Sequence, residues 1–300
     1  MTLIECIPNF SEGRRQDVID EIAAAVTRVD GVHLLDVQSD ATHNRCVVTF
    51  VGHEGSIAEA AFRAVETAAA LIDLNQHQGA HPRFGATDVV PFVPLRSDEM
   101  PVCVEVAKVL ARRVADELEI PAFLYEDAAQ IPEHRNLAVI RGKGFEELRE
   151  TIGSEPSKTP DEGEARVHAT AGAVAIGARF PLIAFNVNLE SDDLELARRI
   201  AAQIRERDGG MKCVKAIGLM LEDGAVQVSM NLTDYRVTSM ADVVGAIGER
   251  AALAGVAIRE SEVVGLLPED ALVRLAQSAL YATGFGRGQV LEARVLDTLL

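Results

Sequence analysis

The sequence of 300 residues has no apolar run that approaches the roughly 18 to 20 residues needed to span a membrane. One of its longest apolar windows, residues 64–74, is interrupted by Glu66, Thr67 and Asp73. The first residues also lack the basic region and the apolar stretch that together mark a signal peptide. We therefore expect a cytoplasmic protein with no membrane association.

Basic residues are scarce, since 29 Lys and Arg stand against 46 Asp and Glu, giving a formal net charge of −17. A field of that sign repels phosphate backbones and anionic lipid, so we expect no nucleic-acid partner. A local cluster of arginines can still bind an anionic small molecule inside a cleft. The content of 48% hydrophobic and 25% charged residues is typical of a globular chain.

Cysteine motifs and common nucleotide motifs are also missing. The four cysteines are scattered without a CxxC pair, which favours reduced, buried thiols over disulfides or a zinc knuckle. The chain has no P-loop, Rossmann fingerprint or nucleophile elbow. The glycine-rich residues 284–288 follow a predicted helix and not a strand, so they do not indicate a nucleotide site.

Apolar periodicity predicts the order β-α-β-β-α-β in each half of the chain. The predicted strands are residues 3–8, 32–37, 46–51 and 89–93, then 181–189, 214–221, 225–231 and 256–264. Helices begin near Ser11, Ser56, Ser191 and Ser239, and the first half carries an extra helix (102–118) and strand (122–125). We predict an α/β (α+β) fold of two ferredoxin-like βαββαβ subdomains.

Between the halves, residues 141–172 are rich in glycine and charge and have no apolar period. Such a composition is typical of a domain linker. The alternative is a lid that wraps a ligand at a crevice between the two sheets.

The densest unusual stretch is residues 77–88, which holds His77 and His81. Two histidines four apart bind zinc on a continuous helix, but Gly79 and Pro82 make a helix improbable here. His81 precedes a proline and an arginine just before a buried strand. A near-neutral titration suits it to general acid or base catalysis, and the alternative is a loop of solvated histidines.

Three further groups are candidate ligand-binding residues. Residues 8–14 lie at the end of the first strand. Asn9 or Ser11 can be the N-cap of the next helix, and the backbone N–H groups at the N-terminus of that helix can bind an anion. Arg45 can hold a carboxylate bidentately, or it is a surface arginine at a strand start. Asn186 and Asn188 lie on the same face of a predicted strand. Their amides need hydrogen-bond partners in the protein or face a ligand, unless one of them lies at a solvated edge of the sheet.

Taken together, these segments resemble the formiminotransferase family. In the first half, the matching stretches are residues 5–13 (ECIPNFSEG), 34–37, 44–45, 49–52, 81–83 (HPR), 85–86 and 88. In the second half, they are residues 177–179 (GAR), 182–189 (LIAFNVNL), 228–229 and 231–232. The stretches keep the family's order and cover the chain to about residue 280.

The resemblance implies two α/β subdomains, residues 1–177 and 178–300, with a folate-binding crevice between them. It implies an enzyme of histidine degradation that moves a formimino group from N-formimino-L-glutamate to N5 of tetrahydrofolate. Tetrahydrofolate is then a co-substrate, no metal is needed, and the usual assembly is a homodimer. Because no second domain follows, no cyclodeaminase activity is expected, although a separate cyclodeaminase is a possible partner.

The resemblance also assigns roles to residues. His81, in the HPR motif, becomes the catalytic residue, and residues 161–172 become the folate-binding segment. The animal members of the family carry an acidic residue where this chain has Gln38, so the resemblance leaves open whether His81 has a carboxylate partner, and Asp36, Asp40 or Asp88 could take that place. The predicted substrate and folate-binding residues are Asn9, Asn44, Arg45, Arg83, Asp161, His168, Thr170, Gly172, Asn186 and Asn188.

Two other functions stay open. Formyl transfer or interconversion on 5-formyltetrahydrofolate makes similar demands on a site, because carbonyl and imine carbons react alike. A non-catalytic folate-binding sensor built from two ferredoxin-like halves would bind ligand without turnover.

Overall fold

The computed structural model describes residues 2–41, 43–79, 83–221 and 223–299. The chain divides into two compact units, residues 1–180 and 181–300. The boundary of the functional subdomains after residue 177 stays a prediction.

Unit 1 begins with a βαββαβ arrangement whose first strand is split in two. Its elements are β1 (Leu3–Cys6), β2 (Asn9–Phe10), α1 (Gln16–Thr27), β3 (Val32–Asp40), β4 (Arg45–His53), α2 (Glu54–Leu71) and β5 (Thr87–Pro94). Both β1 and β2 lie between β4 and β5 and are antiparallel to each. With β3 paired to β4, the order β3-β4-β1/β2-β5 is that of a ferredoxin-like sheet.

Both helices of this arrangement cover the same face of the sheet. In β4 the side chains of Cys46, Val48 and Phe50 are fully buried and pack in one core with the apolar faces of α1 and α2. Because side chains alternate along a strand, Arg45 and Thr49 lie on the opposite face. Arg45 and Thr49 therefore lie on the face of the sheet that α1 and α2 leave uncovered.

Two parallel strands extend the sheet beyond β5. The chain continues through α3 (Met100–Leu118), β6 (Ala122–Glu126), α4 (Leu137–Arg141), α5 (Phe145–Thr151) and β7 (Val174–Ala178). β7 inserts between β5 and β6, parallel to both. Because β7 is short and rich in small side chains, the apolar pattern did not predict it as a strand. A small residue is required at Gly177, since a Cβ there would lie 2.5 Å from the Tyr125 ring.

The linker interpretation of residues 141–172 is wrong. Leu148, with Ile140 just before the segment, is fully buried against Phe84 and Phe123 on the second face of the sheet, in an apolar cluster separate from the helical core. Only a few widely spaced apolar side chains make these contacts, so no periodic signal marks them in the sequence. The segment belongs to unit 1.

Unit 2 is a second βαββαβ arrangement followed by two helices. Its elements are β8 (Ile183–Leu189), α6 (Leu194–Ile204), β9 (Val214–Met220), β10 (Val226–Leu232), α7 (Met240–Leu253), β11 (Ile258–Val264), α8 (Glu269–Leu280) and α9 (Leu291–Leu299). The strands are antiparallel in the order β11-β8-β10-β9. This is again the ferredoxin-like order, so the predicted fold class is confirmed.

Each unit has its own apolar core between helices and sheet, as two-layer domains require. Among the described residues, no helix combines the length and the apolarity needed to cross a bilayer.

Candidate active site

The loop between α2 and β5, residues 72–86, carries the sequence His-Pro-Arg, and we call it the HPR loop. The structure describes it except for residues 80–82, so the predicted catalytic residue His81 lies outside the described residues. The described parts of the loop contact residues 11–13, the turn between β3 and β4, and residues 168–173. These contacts define the candidate site.

Asn44, predicted as a binding residue, joins two of these segments. Its side-chain oxygen accepts a hydrogen bond from the Gly13 amide (2.9 Å), and its amide nitrogen donates to the Gln78 carbonyl (2.9 Å). The residue has a φ of 49°, a left-handed conformation that asparagine tolerates better than most residues. The backbones are tightly packed, since a Cβ on Gly79 would lie 2.3 Å from the His43 carbonyl oxygen.

His77 has one defined tautomer. Its Nδ1 accepts a hydrogen bond from Nε of Arg83 (3.0 Å), which can only donate. The proton therefore resides on Nε2, which donates to the Asn44 carbonyl (2.9 Å). Burial lowers the pKa of His77 and outweighs the hydrogen bond to the Asn44 carbonyl, which raises it, and the charge of Arg83 adds a further, smaller lowering. His77 is thus a neutral structural histidine that connects Arg83 to Asn44.

This lowered pKa predicts a pH dependence of stability. Below the ordinary pKa of 6.5, the unfolded chain binds a proton at His77 that the folded protein does not. The free energy of unfolding therefore decreases as the pH is lowered from 6.5 to the lowered pKa of the folded protein. His77→Gln cannot titrate and should lose this component of the pH dependence. Urea unfolding at about pH 7.5 and about pH 5.5 measures this difference in the free energy of unfolding. The same difference in wild type and variant would contradict the lowered pKa of His77.

Arg83 is held by its side chain and its main chain. Its two terminal nitrogens each donate to a carboxylate oxygen of Glu146 at 3.0 Å, and its carbonyl accepts from the Phe145 amide at 2.8 Å. The side chain is 15% exposed, and the hydrogen bond from Arg83 lowers the pKa of Glu146. Arg83 therefore uses most of its donors within the protein. A substrate-binding role for it stays a prediction.

The predicted folate segment supplies a turn that packs on the HPR loop. The His168 amide donates to the Gly172 carbonyl (2.8 Å) and closes the turn, and the Leu74 amide donates to the Thr170 carbonyl (2.9 Å). Gly172 has a φ of 73°, and a Cβ there would lie 2.3 Å from the Phe84 carbonyl oxygen. The structure thus brings His168, Thr170 and Gly172 to the loop that carries His81.

A buried charge cluster lies beneath the end of the loop. Asp88 accepts hydrogen bonds from the Phe84 amide (3.0 Å) and from Arg141 (2.6 Å). Burial raises the pKa of Asp88, while Arg141 and the Phe84 amide oppose that rise. Burial likewise lowers the pKa of the nearby Arg45, and the charge of Asp88 opposes that effect. Arg45 is therefore a largely buried cation beside an existing ion pair.

The three carboxylates considered as partners of His81 differ in their surroundings. Asp40 accepts from the His43 amide (2.9 Å) and contacts the His43 ring nitrogen (2.6 Å). Asp88 is held as described above, and Asp36 lies half-buried in β3. Which of them, if any, orients His81 stays a prediction.

Residues 9–12 approach the opposite side of the loop. Asn9 donates to the Ile7 carbonyl (3.0 Å), and the Ser11 hydroxyl donates to the Gly85 carbonyl (2.7 Å). Neither residue caps α1, which begins only at Gln16, so the capping interpretation is wrong. A cavity of about 390 Å³ opens here, lined by Ser11, Glu12, Arg15, Asn44, Gln76 and His77 among others.

Glu12 and Asp73 are the acidic residues among the described residues that line this cavity. Glu12 is buried, and it accepts hydrogen bonds from the Arg14 amide (2.8 Å) and from the amide and side chain of Arg15 (2.9 and 2.5 Å). Burial alone would raise its pKa, but these hydrogen bonds outweigh burial and lower it. Glu12 therefore stays ionised and supports the first turn of α1.

Asp161 is placed away from the turn that contacts the loop. Its carboxylate accepts from the Leu124 amide (2.7 Å) and pairs with Nδ1 of His134 (2.8 Å). The side chain is 5% exposed, so it offers little surface to a ligand. Asp161 ties its segment to β6, and its predicted contact with folate stays untested.

In unit 2, Asn186 and Asn188 share one face of the central strand β8. Asn186 donates to Glu262 (3.0 Å), and Asn188 donates to Glu260 (3.1 Å) and accepts from Gln227 (2.9 Å). The neighbouring strands therefore supply partners for both amides. Together these five side chains form a polar surface on the face opposite the helices, and their role in folate binding stays a prediction.

Sequence reasoning missed three residues of the site: Arg141, His134 and Glu146. Each pairs with a residue 27 to 63 positions away, and nothing in the local pattern marks such a pair. Within the described ranges, no group of three or more histidine, cysteine or acidic side chains is arranged to hold a metal ion.

The fold and the site define an α/β protein of two ferredoxin-like units, with a histidine-bearing loop in the first beside the ion pairs Arg83–Glu146 and Asp88–Arg141. A family model described as "Formiminotransferase domain, N-terminal subdomain" matches residues 3–179, and one described as "Formiminotransferase domain" matches residues 184–284. The chain belongs to the formiminotransferase family.

Known relatives extend over the whole chain. It is 47% identical to the glutamate formimidoyltransferase of Thermoplasma acidophilum, over 98% of each protein. It is also 47% identical to the glutamate formimidoyltransferase of Streptococcus pyogenes, over 98% of this chain and 99% of the relative. A match at 42% identity to the formimidoyltransferase-cyclodeaminase of Rattus norvegicus covers 91% of this chain and 52% of the rat protein.

Proposed function

We propose that this chain is a glutamate formimidoyltransferase, which converts N-formimino-L-glutamate and tetrahydrofolate to L-glutamate and 5-formiminotetrahydrofolate. The observation that carries the proposal is the 47% identity, over 98% of each chain, to a protein of that name. The assembly of the HPR loop with residues 11–13, 44 and 168–172 supports it, because it places most of the predicted unit 1 residues around one loop.

His81 is the proposed catalytic residue. Tetrahydrofolate, when bound, supplies the amine nitrogen N5 that accepts the formimino group. His81 takes the proton that N5 loses and returns it to the departing nitrogen of glutamate, so one imidazole serves as base and then as acid. The protein's other contribution is to hold two substrates together, which removes much of the entropic cost of their encounter.

The polar surface of unit 2 fits a folate ring chemically. Carboxylates of Glu260 and Glu262 accept N–H groups, and the amide of Asn188 both donates and accepts. A pterin ring presents N–H donors beside ring acceptors, so it matches this donor and acceptor set. We propose that Asn186 and Asn188 orient these groups toward folate.

Arg45 is the proposed partner of a substrate carboxylate. It is largely buried, the nearby charges of Asp88 and Asp40 favour its protonated form, and a guanidinium can bind a carboxylate through two parallel hydrogen bonds. Glutamate brings two carboxylates, and Arg45 lies on the face of the sheet that its helices leave uncovered. The net charge of −17 on the whole chain does not oppose this local attraction.

Donor identity is the test of this proposal. Purified protein is incubated with tetrahydrofolate and either N-formimino-L-glutamate or N-formyl-L-glutamate, and the products are identified by mass spectrometry. We expect 5-formiminotetrahydrofolate to form from the formimino donor at least about tenfold faster than L-glutamate forms from the formyl donor. A preference for formyl donors or for 5-formyltetrahydrofolate would favour formyl transfer. Folate binding without turnover of any donor would favour a sensor.

The remaining expectations belong to the same proposal. We propose a cytoplasmic enzyme that acts as a homodimer on small molecules, uses no metal and binds neither nucleic acid nor membrane.

A further inference from the structure

We propose that Glu146 and Arg83 are positioning residues for the transfer reaction, and that they hold the HPR loop rather than bind substrate. Glu146 lies in the first turn of α5, 63 residues from Arg83, and neither the sequence nor the family resemblance assigned it a role. The inference rests on the proposed function only for its kinetic test.

The first observation is that Arg83 is fixed from two directions by the same helix start. Glu146 binds both terminal nitrogens of the guanidinium at 3.0 Å, and the Phe145 amide binds the Arg83 carbonyl at 2.8 Å. Gly144 makes the approach possible, since it has a φ of 105° and a Cβ there would lie 2.7 Å from the Arg83 carbonyl oxygen. The bidentate geometry fixes the direction of the side chain as well as its position.

The second observation is that the same guanidinium also binds His77, which precedes positions 80–82 in the loop. Arg83 donates to the ring of His77 (3.0 Å) and to its carbonyl (3.2 Å), and His77 in turn donates to Asn44. Asn44 also binds the Gln78 carbonyl. The residues before and after positions 80–82 are therefore cross-linked through one side chain.

Chain geometry connects this network to His81. Two trans peptide units span at most about 7.3 Å between Cα atoms, and His81 is two residues from both Gly79 and Arg83. A displacement of either flanking position is therefore passed through two peptide units to the residue at position 81. A displacement on the order of 1 Å at a reacting group can cost about a hundredfold in rate.

Because Glu146 is exposed, a positioning role for it can be distinguished experimentally from a role in folding. Its side chain is 62% exposed, whereas that of Arg83 is 15% exposed. Exposed ion pairs contribute little to folding, so removing the charge of Glu146 should leave the protein folded. An effect on catalysis without an effect on stability is what a positioning role predicts.

The test compares Glu146→Gln with wild type and with Glu59→Gln. Glu59 is the control, because its carboxylate likewise pairs with arginine, here Arg63 and Arg113, and it lies on α2 of the same unit away from the loop. We expect Glu146→Gln to lower kcat by about 10- to 100-fold with KM for both substrates within about twofold. Glu59→Gln should leave both parameters unchanged.

The opposite kinetic result would overturn the proposal. If Arg83 binds a substrate carboxylate and Glu146 merely competes with it, Glu146→Gln frees the guanidinium. The KM for N-formimino-L-glutamate then falls while kcat holds. Unchanged kcat and KM would equally contradict a positioning role.

Amide hydrogen exchange tests the anchoring without any turnover. We expect Glu146→Gln to speed exchange of the peptide that covers residues 78–84, and Glu59→Gln to leave that peptide unchanged. Unchanged exchange in both variants would overturn the proposal even if the enzyme were active. Faster exchange in a protein inactive on every donor would support the anchoring and would count against the proposed function alone.

Discussion

Replacing His81 by alanine is expected to lower turnover by about 10²- to 10⁴-fold, the usual contribution of a positioned general acid–base. No other side chain is proposed to move the proton from N5 to the departing glutamate nitrogen. Binding of tetrahydrofolate should persist, because the proposed folate contacts lie on other residues. Steady-state assays of glutamate formation and calorimetric titration with tetrahydrofolate measure the two effects.

A histidine elsewhere in unit 1 provides the control. His33 is exposed in β3, which pairs with β4, and it takes no part in the contacts described for the HPR loop, so His33→Ala should retain wild-type turnover. Near-wild-type turnover in His81→Ala would show that the catalytic assignment is wrong. Loss of folate binding in that variant would instead give His81 a binding role.

Replacing Asp88 by alanine is expected to have the largest effect on stability. Asp88 is 2% exposed, and its carboxylate pairs with Arg141 and accepts the Phe84 amide. Removing one partner of a buried ion pair leaves the other charge uncompensated, which costs about 3 to 5 kcal/mol of unfolding free energy. Denaturant unfolding measures the change.

The double variant Asp88→Leu with Arg141→Leu distinguishes the lost pair from a general packing defect. Because it removes both charges, it should recover much of the stability that Asp88→Ala loses. A loss below about 1 kcal/mol in the single variant would mean that water or another group satisfies Arg141. A double variant less stable than the single one would assign the effect to packing.

Much of the fold could be predicted because local signals agreed with it. The run from Ser191 to Asp193 predicted a helix start, and Asp193 is the N-cap of α6, where it accepts the Leu196 amide at 3.0 Å. Ser239 predicted another start, and it forms a capping box with Asp242 at α7. Ser56 was misleading, since α2 begins at Glu54 and Ser56 lies inside it.

The missed elements are those that tertiary contacts define. β7 consists largely of alanine and glycine, and it is a strand because small residues are needed between β5 and β6. α4 and α5 have 5 and 7 residues, too short for a helical period to show. Their stability comes from packing on Phe84 and Phe123 rather than from propensity.

The site was only partly predictable for a similar reason. The family resemblance pointed to Asn44, Thr170 and Gly172, and the fold brings them to the HPR loop. The pairs Arg83–Glu146 and Asp88–Arg141 join residues 63 and 53 positions apart. In a chain with 25% charged residues, no local feature marks Glu146 and Arg141 as the partners of Arg83 and Asp88.

The most direct test of the central claim is release of L-glutamate from N-formimino-L-glutamate, followed with and without tetrahydrofolate. The account predicts release that depends on tetrahydrofolate and matches the 5-formiminotetrahydrofolate formed one for one. Release at the same rate without tetrahydrofolate would mean hydrolysis and not transfer. No release in its presence would contradict the proposed function.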